Sequence, residues 1–242
     1  MNCNDVDRAL REASHAGMSV PVDPSSPATL RQIAESLAAD LSPVRPMAAK
    51  RYFLGALVGI FISFVVIAVY RMGAFAIAVM TPLQIAAILS VLAIAAGLLA
   101  YSLVNQMVPG SRHRIPPMLL LVAIAITLTI TIAVSFDFQH EPDFWIECWT
   151  CIQAGTPIGI LAAVPFWLVL RRGAILSPGM TGAATGLLVG LVGTSVLEIH
   201  CPNLDAWHIL VSHLGVAIMG ALVGLVTGLT ARNHRRTFGS SQ

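Results

Sequence analysis

The sequence predicts an all-α, polytopic membrane protein: six transmembrane helices, both termini cytoplasmic, and a short soluble N-terminal arm. Three observations carry that expectation. Apolar residues make up 56% of the chain and charged residues only 11%, against roughly 25% charged in ordinary soluble domains. The apolar residues fall in runs close to the ~20 residues that cross a bilayer as a helix. The cations segregate as the positive-inside rule requires. With the N-terminus inside, Arg8, Arg11, Arg31, Arg45, Lys50, Arg51, Arg112, Arg114, Arg171, Arg172, Arg232, Arg235 and Arg236 are all inside. That is 13 of the 14 Lys and Arg residues, and only Arg71 falls outside. The acids of the membrane half do the reverse: Asp137, Glu141, Asp143, Glu147, Glu198 and Asp205 fall outside.

Residues 1–50 are expected to form the cytoplasmic arm. The N-terminus has no basic lead followed by an apolar core, so no cleavable signal peptide is expected. Pro21 to Pro27 reads as a linker. A short helix over about 28–41 follows, capped by Ser26 with Pro27 at its first position, and Leu30, Ile33, Leu37 and Leu41 fall near one face. A helix of about 14 residues is marginal alone in water, so this one needs a partner surface. Ser42-Pro43-Val44-Arg45-Pro46 ends it, because proline forbids helical continuation.

The spans occupy residues 51–232, at Tyr52–Tyr70, Leu83–Met107, Pro117–Phe136, about Cys151–Leu170, Gly179–Glu198 and His208–Ala231. A cytoplasmic tail, 233–242, closes the chain. An apolar link, Met72 to Thr81, joins the first two spans. Thr127, Thr129 and Thr131 favour a strand by propensity, but a lone strand in lipid leaves its backbone unpaired, so helix wins. Pro157 and Pro165 are expected to bend span four. Gly182, Gly186 and Gly190 in span five and Gly220, Gly224 and Gly228 in span six recur at four-residue spacing. Such rows let helix backbones approach closely. The simpler reading packs spans five and six on each other; the second makes the rows a homodimer seam.

The chemistry gathers in Phe144-Trp145-Ile146-Glu147-Cys148-Trp149-Thr150-Cys151, answered by Glu198-Ile199-His200-Cys201-Pro202. On the expected topology Cys148, Cys151 and Cys201 share the outer face, where disulfides persist. Cys148 and Cys151 form a C-x-x-C, which suits either thiol exchange or metal ligation. Cys201 sits just past span five, within reach of Cys148 across a helix contact. The competing reading makes these cysteines inert small hydrophobes. His140, Glu141, Glu147, Glu198, His200 and His208 lie around the thiols, and thiolate with imidazole suits zinc or a soft ion such as cadmium. His140 and Glu141 read simply as wet loop. His213 falls inside span six, where a titratable group is expensive and needs a partner, for which Glu198 is a candidate. Trp145, Trp149 and Trp207 read as interfacial anchors of the outer face, with Trp167 near the inner end of span four. No phosphate-binding loop, H-E-x-x-H or Ser/His/Asp pattern is present.

With these stretches in this order, the chain resembles the NrsF family, negative regulators of sigma F: bacterial inner-membrane anti-sigma factors with six spans. The resemblance runs over roughly 28–231. It rests on the arm helix with Ser42-Pro43-Val44-Arg45-Pro46, Trp145-Ile146-Glu147-Cys148, Leu170-Arg171-Arg172-Gly173-Ala174 with Ser177-Pro178 and the glycines after it, His200-Cys201-Pro202, and Ser212-His213-Leu214. It implies that the arm binds an extracytoplasmic-function sigma factor and holds it from RNA polymerase. It also implies that two periplasmic cysteines, Cys148 and Cys201, answer a metal or oxidant stress, with no obligatory cofactor and at most a transient heavy-metal ion. Cys151 lies outside the pattern: a third ligand, an alternative disulfide partner, or packing. Residues 1–20 read as an extension. The resemblance implies no enzyme. Two rivals are a membrane thiol-disulfide oxidoreductase built on the C-x-x-C and a small transporter. The first lacks an evident quinone site. The second lacks membrane-embedded acids and any repeat between the halves.

Overall fold

A computed structural model of the chain describes residues 49–108, 111, 115–139, 142–175 and 177–239, with Arg31 and Glu35 ahead of them. For 232–239 it describes backbone only. Among the described residues the regular structure is all helical, without strands. Six of the described helices are long and apolar enough to cross a membrane.

They are α1 (Lys50–Met72), α3 (Pro82–Met107), α4 (Pro117–Ser135), α5 (Phe144–Leu170), α6 (Pro178–His200) and α8 (Leu214–Gly239). The sixth span is the stretch Ala206–Ala231, which begins with α7 (Ala206–His208) and a π-helical turn, Ile209–His213, before α8. Short helix α2 (Phe75–Val79) occupies the link between the first two spans. At 1.5 Å rise per residue, 19–27 residues give about 30–40 Å, enough for a hydrocarbon layer of roughly 30 Å. Large apolar side chains stand exposed along the spans, among them Ile67, Leu119, Val134 and Ile160. In water such surfaces would be aggregation patches; against lipid they are the ground state.

Local chemistry sets the ends. Gly73 ends α1 at φ 96, and it is the one positive-φ position among the described residues. Thr81 and Gln84 form a reciprocal capping box at the start of α3, satisfying two backbone donors that lipid cannot. Gln84 Nε2 also donates to the Ser135 carbonyl at 2.7 Å, tying α3 to the end of α4. In the Thr-rich span, Thr129 and Thr131 donate to the carbonyls four residues back, each at 2.8 Å. Their hydroxyls are thereby satisfied inside the helix that propensity alone disfavoured.

Helix α6 is the axle. Some 78% of its apolar spanning stretch is buried, against 11–33% for the other spans. Helices α1, α3 and α5 pack on it, and its glycines set how closely. A methyl group on Gly182 or Gly186 would collide with the backbone of Gly224 or Gly220, and the reverse holds from α8. A Cβ on Gly190 would stand 2.6 Å from the Ala217 Cα, and one on Gly193 2.6 Å from the Gly155 carbonyl oxygen of α5. The two glycine rows are therefore spent on each other within one chain. Gly55, Gly59 and Gly97 meet nothing within 4 Å.

At the end of the bundle away from the cysteines, Lys50 Nζ donates to Asn105 Oδ1 at 3.1 Å, and Thr181 Oγ1 to Gln106 Oε1 at 2.8 Å. The Ala174 N–H meets the Met107 carbonyl at 2.9 Å. Arg31 and Glu35 are helical and form an exposed i,i+4 pair at 3.2 Å. Such a pair contributes roughly 0.3–0.5 kcal/mol. Leu30, Ile33, Leu37, Leu41, Pro43 and Arg45 lie outside the described residues.

Candidate functional site

Helix α5 starts at Phe144, seven residues before the expected start of span four. The whole C-x-x-C therefore sits on helix, and Cys148 and Cys151 stand one turn apart. Helix α6 delivers Glu198 on its last turn and Cys201 just past its end. The link back into the membrane is pinned by Asp205. Its Oδ1 accepts from the Gln139 N–H at 2.8 Å, and its Oδ2 accepts from the His208 N–H at 3.0 Å. Asp205 thus caps α7 and fixes the backbone that carries His208.

The π turn places the second histidine. On a regular α-helix, residues five apart diverge by about 140° around the axis. In the π turn the Leu214 N–H bonds back to the Ile209 carbonyl, an extra residue per turn that brings His208 and His213 to one side. Their ring centroids lie 5.4 Å apart. Two hydroxyls hold the loosened ladder: Ser212 Oγ donates to the His208 carbonyl at 2.6 Å, and Thr194 Oγ1 to the His213 carbonyl at 2.7 Å. Single π turns of this sort concentrate at functional sites.

The thiols meet differently from the simplest expectation. Cys201 has Cys151 beside it: the Cys151 thiol donates to Cys201 Sγ at 3.5 Å. Cys148 is buried with its sulfur 3.7 Å from His208 Nδ1, while His208 Nε2 lies 3.5 Å from Cys201 Sγ. One imidazole thus links Cys148 to Cys201. Cys148, Cys151 and Cys201 are all free thiols. Ligand atoms of Cys151, Cys201, His208 and His213 lie within 4.8 Å of one another.

Beneath this group, His213 Nδ1 stands 3.1 Å from Glu198 Oε1, with both side chains 1% exposed. The two groups are close but lack the alignment of a regular hydrogen bond. Glu198 is therefore a buried acid of the protein interior, not a wet outer group. Glu147 accepts a 2.6 Å hydrogen bond from Asn203 Nδ2 and lines an open depression of about 350 Å³ with Gln139, Pro202 and Asp205. His200 turns elsewhere, its Nδ1 3.3 Å from the Gly73 carbonyl and its ring on Phe75. Trp145, Trp149 and Trp207 are exposed at this end and Trp167 at the other, where Arg171 lies over its ring. His140 and Glu141 lie outside the described residues.

A family model described as NrsF, negative regulator of sigma F, matches residues 37–231. The chain belongs to the NrsF family. No curated protein and no solved structure matches it. The NrsF match takes in all six spans and every residue of the cysteine group. It begins at residue 37, so it includes Leu37, Leu41, Pro43 and Arg45 but not Leu30 or Ile33.

His208 counted only as one of several polar neighbours in the sequence, yet it touches two of the three thiols. At α-helical pitch it and His213 read as opposite faces, so periodicity hid the pair. The usable signal was the short spacing of Cys201, His208 and His213 around a single capping Asp205.

Two predictions belong to this geometry. Asp205→Ala removes a cap and an anchor of the 137–139 segment; a lost cap alone costs about 0.5–2 kcal/mol. Unfolding in mixed micelles is expected to show that loss, and an unchanged midpoint would refute the capping role. The second concerns Cys201, which lies outside the spans. The hydrogen bond from the Cys151 thiol, helped by His208 and His213 and opposed by burial, holds its pKa below the ordinary 9.0. A depressed acid stabilises the fold fully above its unfolded value, and that contribution shrinks as pH falls. Wild-type stability is thus expected to decline from pH 9.0 downward more steeply than that of Cys201→Ser. Parallel pH profiles for the two proteins would count against a native thiolate.

Proposed function

We propose that this protein is a membrane-embedded anti-sigma factor. It sequesters an extracytoplasmic-function sigma factor at the bacterial inner membrane and releases it when the periplasmic cysteine group is oxidised or metallated. The family match over 37–231, with its description as a negative regulator of sigma F, carries the regulatory part. The cation distribution supports both termini in the cytoplasm and the cysteine end in the periplasm. The arm, with Leu30, Ile33, Leu37, Leu41, Pro43 and Arg45, is the proposed sigma-binding element. Cys148, Cys201 and Cys151 are the proposed sensor, supported by Glu147, Glu198 and His213.

The proposed mechanism is a two-state shift. Cys151 and Cys148 ride on α5, and Cys201 ends α6. Drawing these sulfurs together changes how the outer ends of α5 and α6 sit. Packed helices move as rigid bodies, so the inner ends shift as well. A signal moves that equilibrium only by its differential affinity for the two states. The oxidoreductase alternative finds less support: the two thiols of the C-x-x-C face different partners, Cys148 a histidine and Cys151 a third cysteine.

The test is capture of sigma factors from the source bacterium by the detergent-solubilised protein, beside a variant lacking residues 1–48. The full chain is expected to retain a sigma factor of the extracytoplasmic class and the truncated chain to lose it. Equal retention by both would move the binding site to the loops, and retention by neither would end the anti-sigma reading.

A further inference from the structure

We propose that Cys151, Cys201, His208 and His213 form a closed, four-coordinate zinc site. The inference deepens the sensory reading and uses the same end of the bundle, but it stands on ligand geometry alone. Zinc takes sulfur at about 2.3 Å and imidazole nitrogen at about 2.0–2.1 Å in a tetrahedron. Those bond lengths imply ligand-to-ligand edges of roughly 3.3–3.8 Å. Two edges already have that length: Cys151 Sγ to Cys201 Sγ, 3.5 Å, and Cys201 Sγ to His208 Nε2, 3.5 Å. The four ligand atoms all fall within 4.8 Å of one another, so rotamer adjustments suffice to close the rest. A two-sulfur, two-nitrogen tetrahedron favours zinc over harder ions.

The surroundings of the two imidazoles point the same way. A metal-bound histidine usually has its other ring nitrogen held by a second group, which fixes the tautomer. His208 offers Nε2 to Cys201 and turns Nδ1 toward Cys148 at 3.7 Å. His213 turns Nδ1 toward Glu198 at 3.1 Å. Its Nε2 is fully buried without an aligned hydrogen bond, and the Cys201 sulfur lies in reach of the ring, although buried polar atoms usually find well-formed partners. A metal ion satisfies that nitrogen. The assignment gives Cys151 a place as ligand and makes Cys148 a positioning residue. Binding would form two Zn–S and two Zn–N bonds and release to solvent any protons still carried by the two sulfurs and the two ligating ring nitrogens. Four protein ligands leave no open coordination position, as in structural zinc sites.

The experiment uses the full-length protein, purified from membranes in detergent with a thiol reductant and no chelator, then titrated with zinc alone. The expected result is one zinc per chain, with an X-ray absorption shell of two sulfurs and two nitrogens. Replacing zinc by cobalt should give the intense visible bands of a tetrahedral ion and a thiolate charge-transfer band. Cys151→Ser and Cys201→Ser should lose the stoichiometric ion, whereas Cys148→Ser should keep it. Glu198→Gln should weaken zinc about 10–100-fold, the usual effect of removing a ligand's supporting group.

The absorption shell is read on unmutated protein, so a variant that fails to fold leaves the test intact. Wild-type protein that takes up no zinc overturns the site. So does a shell of other composition, a site lost with Cys148 and kept without Cys151, or a Cys151–Cys201 disulfide as the sole product. Sigma capture is scored separately: zinc without sigma binding sinks the regulatory reading and leaves the site, and sigma binding without zinc does the reverse.

Discussion

Gly224→Val is expected to prevent the bundle from closing. A Cβ at this position runs into the backbone of Gly182 on α6, and its next neighbour is the Gly186 Cα. Backbone cannot rotate aside as a side chain can, so α6 and α8 must separate. Overpacking in a core usually costs about 1–3 kcal/mol. Here the separation also undoes the neighbouring contacts of Gly186 with Gly220 and of Gly190 with Ala217, so the loss should exceed that range. The readout is the detergent-unfolding midpoint with the yield of monodisperse protein. Gly59→Ala is the control, since nothing lies within 4 Å of that position; alanine at a relaxed helical site is neutral or mildly stabilising, by up to about 1 kcal/mol. Equal tolerance of the two changes would mean that α6 and α8 do not cross at these glycines, and the homodimer seam would regain its standing.

That the glycine rows mark a close backbone approach was readable from spacing, because such approach in lipid demands small residues at fixed intervals; spacing does not decide which surface each row meets, the other row or a second chain. The six spans were legible for a related reason: lipid admits only helices with satisfied backbones, so apolar runs of the right length leave little choice. What escaped the sequence shares one property, dependence on polar contacts between distant segments. Helix α5 begins at Phe144 although Glu147 and the thiols make that stretch look like loop. Glu198 was readable as a candidate partner for His213, but its burial was not: α6 is buried on nearly every face, so Glu198 on its last turn is dry. The link between the first two spans holds a helix of five residues, too short to leave a periodic signal. The cysteine group was visible as a concentration of thiols, but its pairing was not. That pairing depends on a π turn, and the hydroxyls that hold the turn, Ser212 and Thr194, come from two different helices.

The second large effect is expected at the buried pair. In metal-free protein, Glu198→Ala leaves His213 without its carboxylate in a fully buried site. Breaking a buried pair from one side typically costs about 3–5 kcal/mol, because the remaining group keeps its desolvation penalty and loses its compensation. Replacing both partners by apolar residues of similar volume, Glu198→Leu with His213→Phe, removes both penalties together and should bring stability back to within about 1 kcal/mol of wild type or above it. A double-mutant cycle on detergent-unfolding free energies measures the coupling directly. Strong coupling with recovery in the double variant shows that the pair is not there for stability. Its retention must then serve the group above it, where His213 needs a fixed ring and a fixed tautomer. Additive losses would mean that each residue packs independently, and the carboxylate would have no part in orienting the histidine. The pair also joins α6 to the π turn of the sixth span, the two elements whose glycine rows interlock further along. Any force on the cysteine group therefore reaches the axle helix through a contact that is costly to break on one side, as the proposed two-state shift requires.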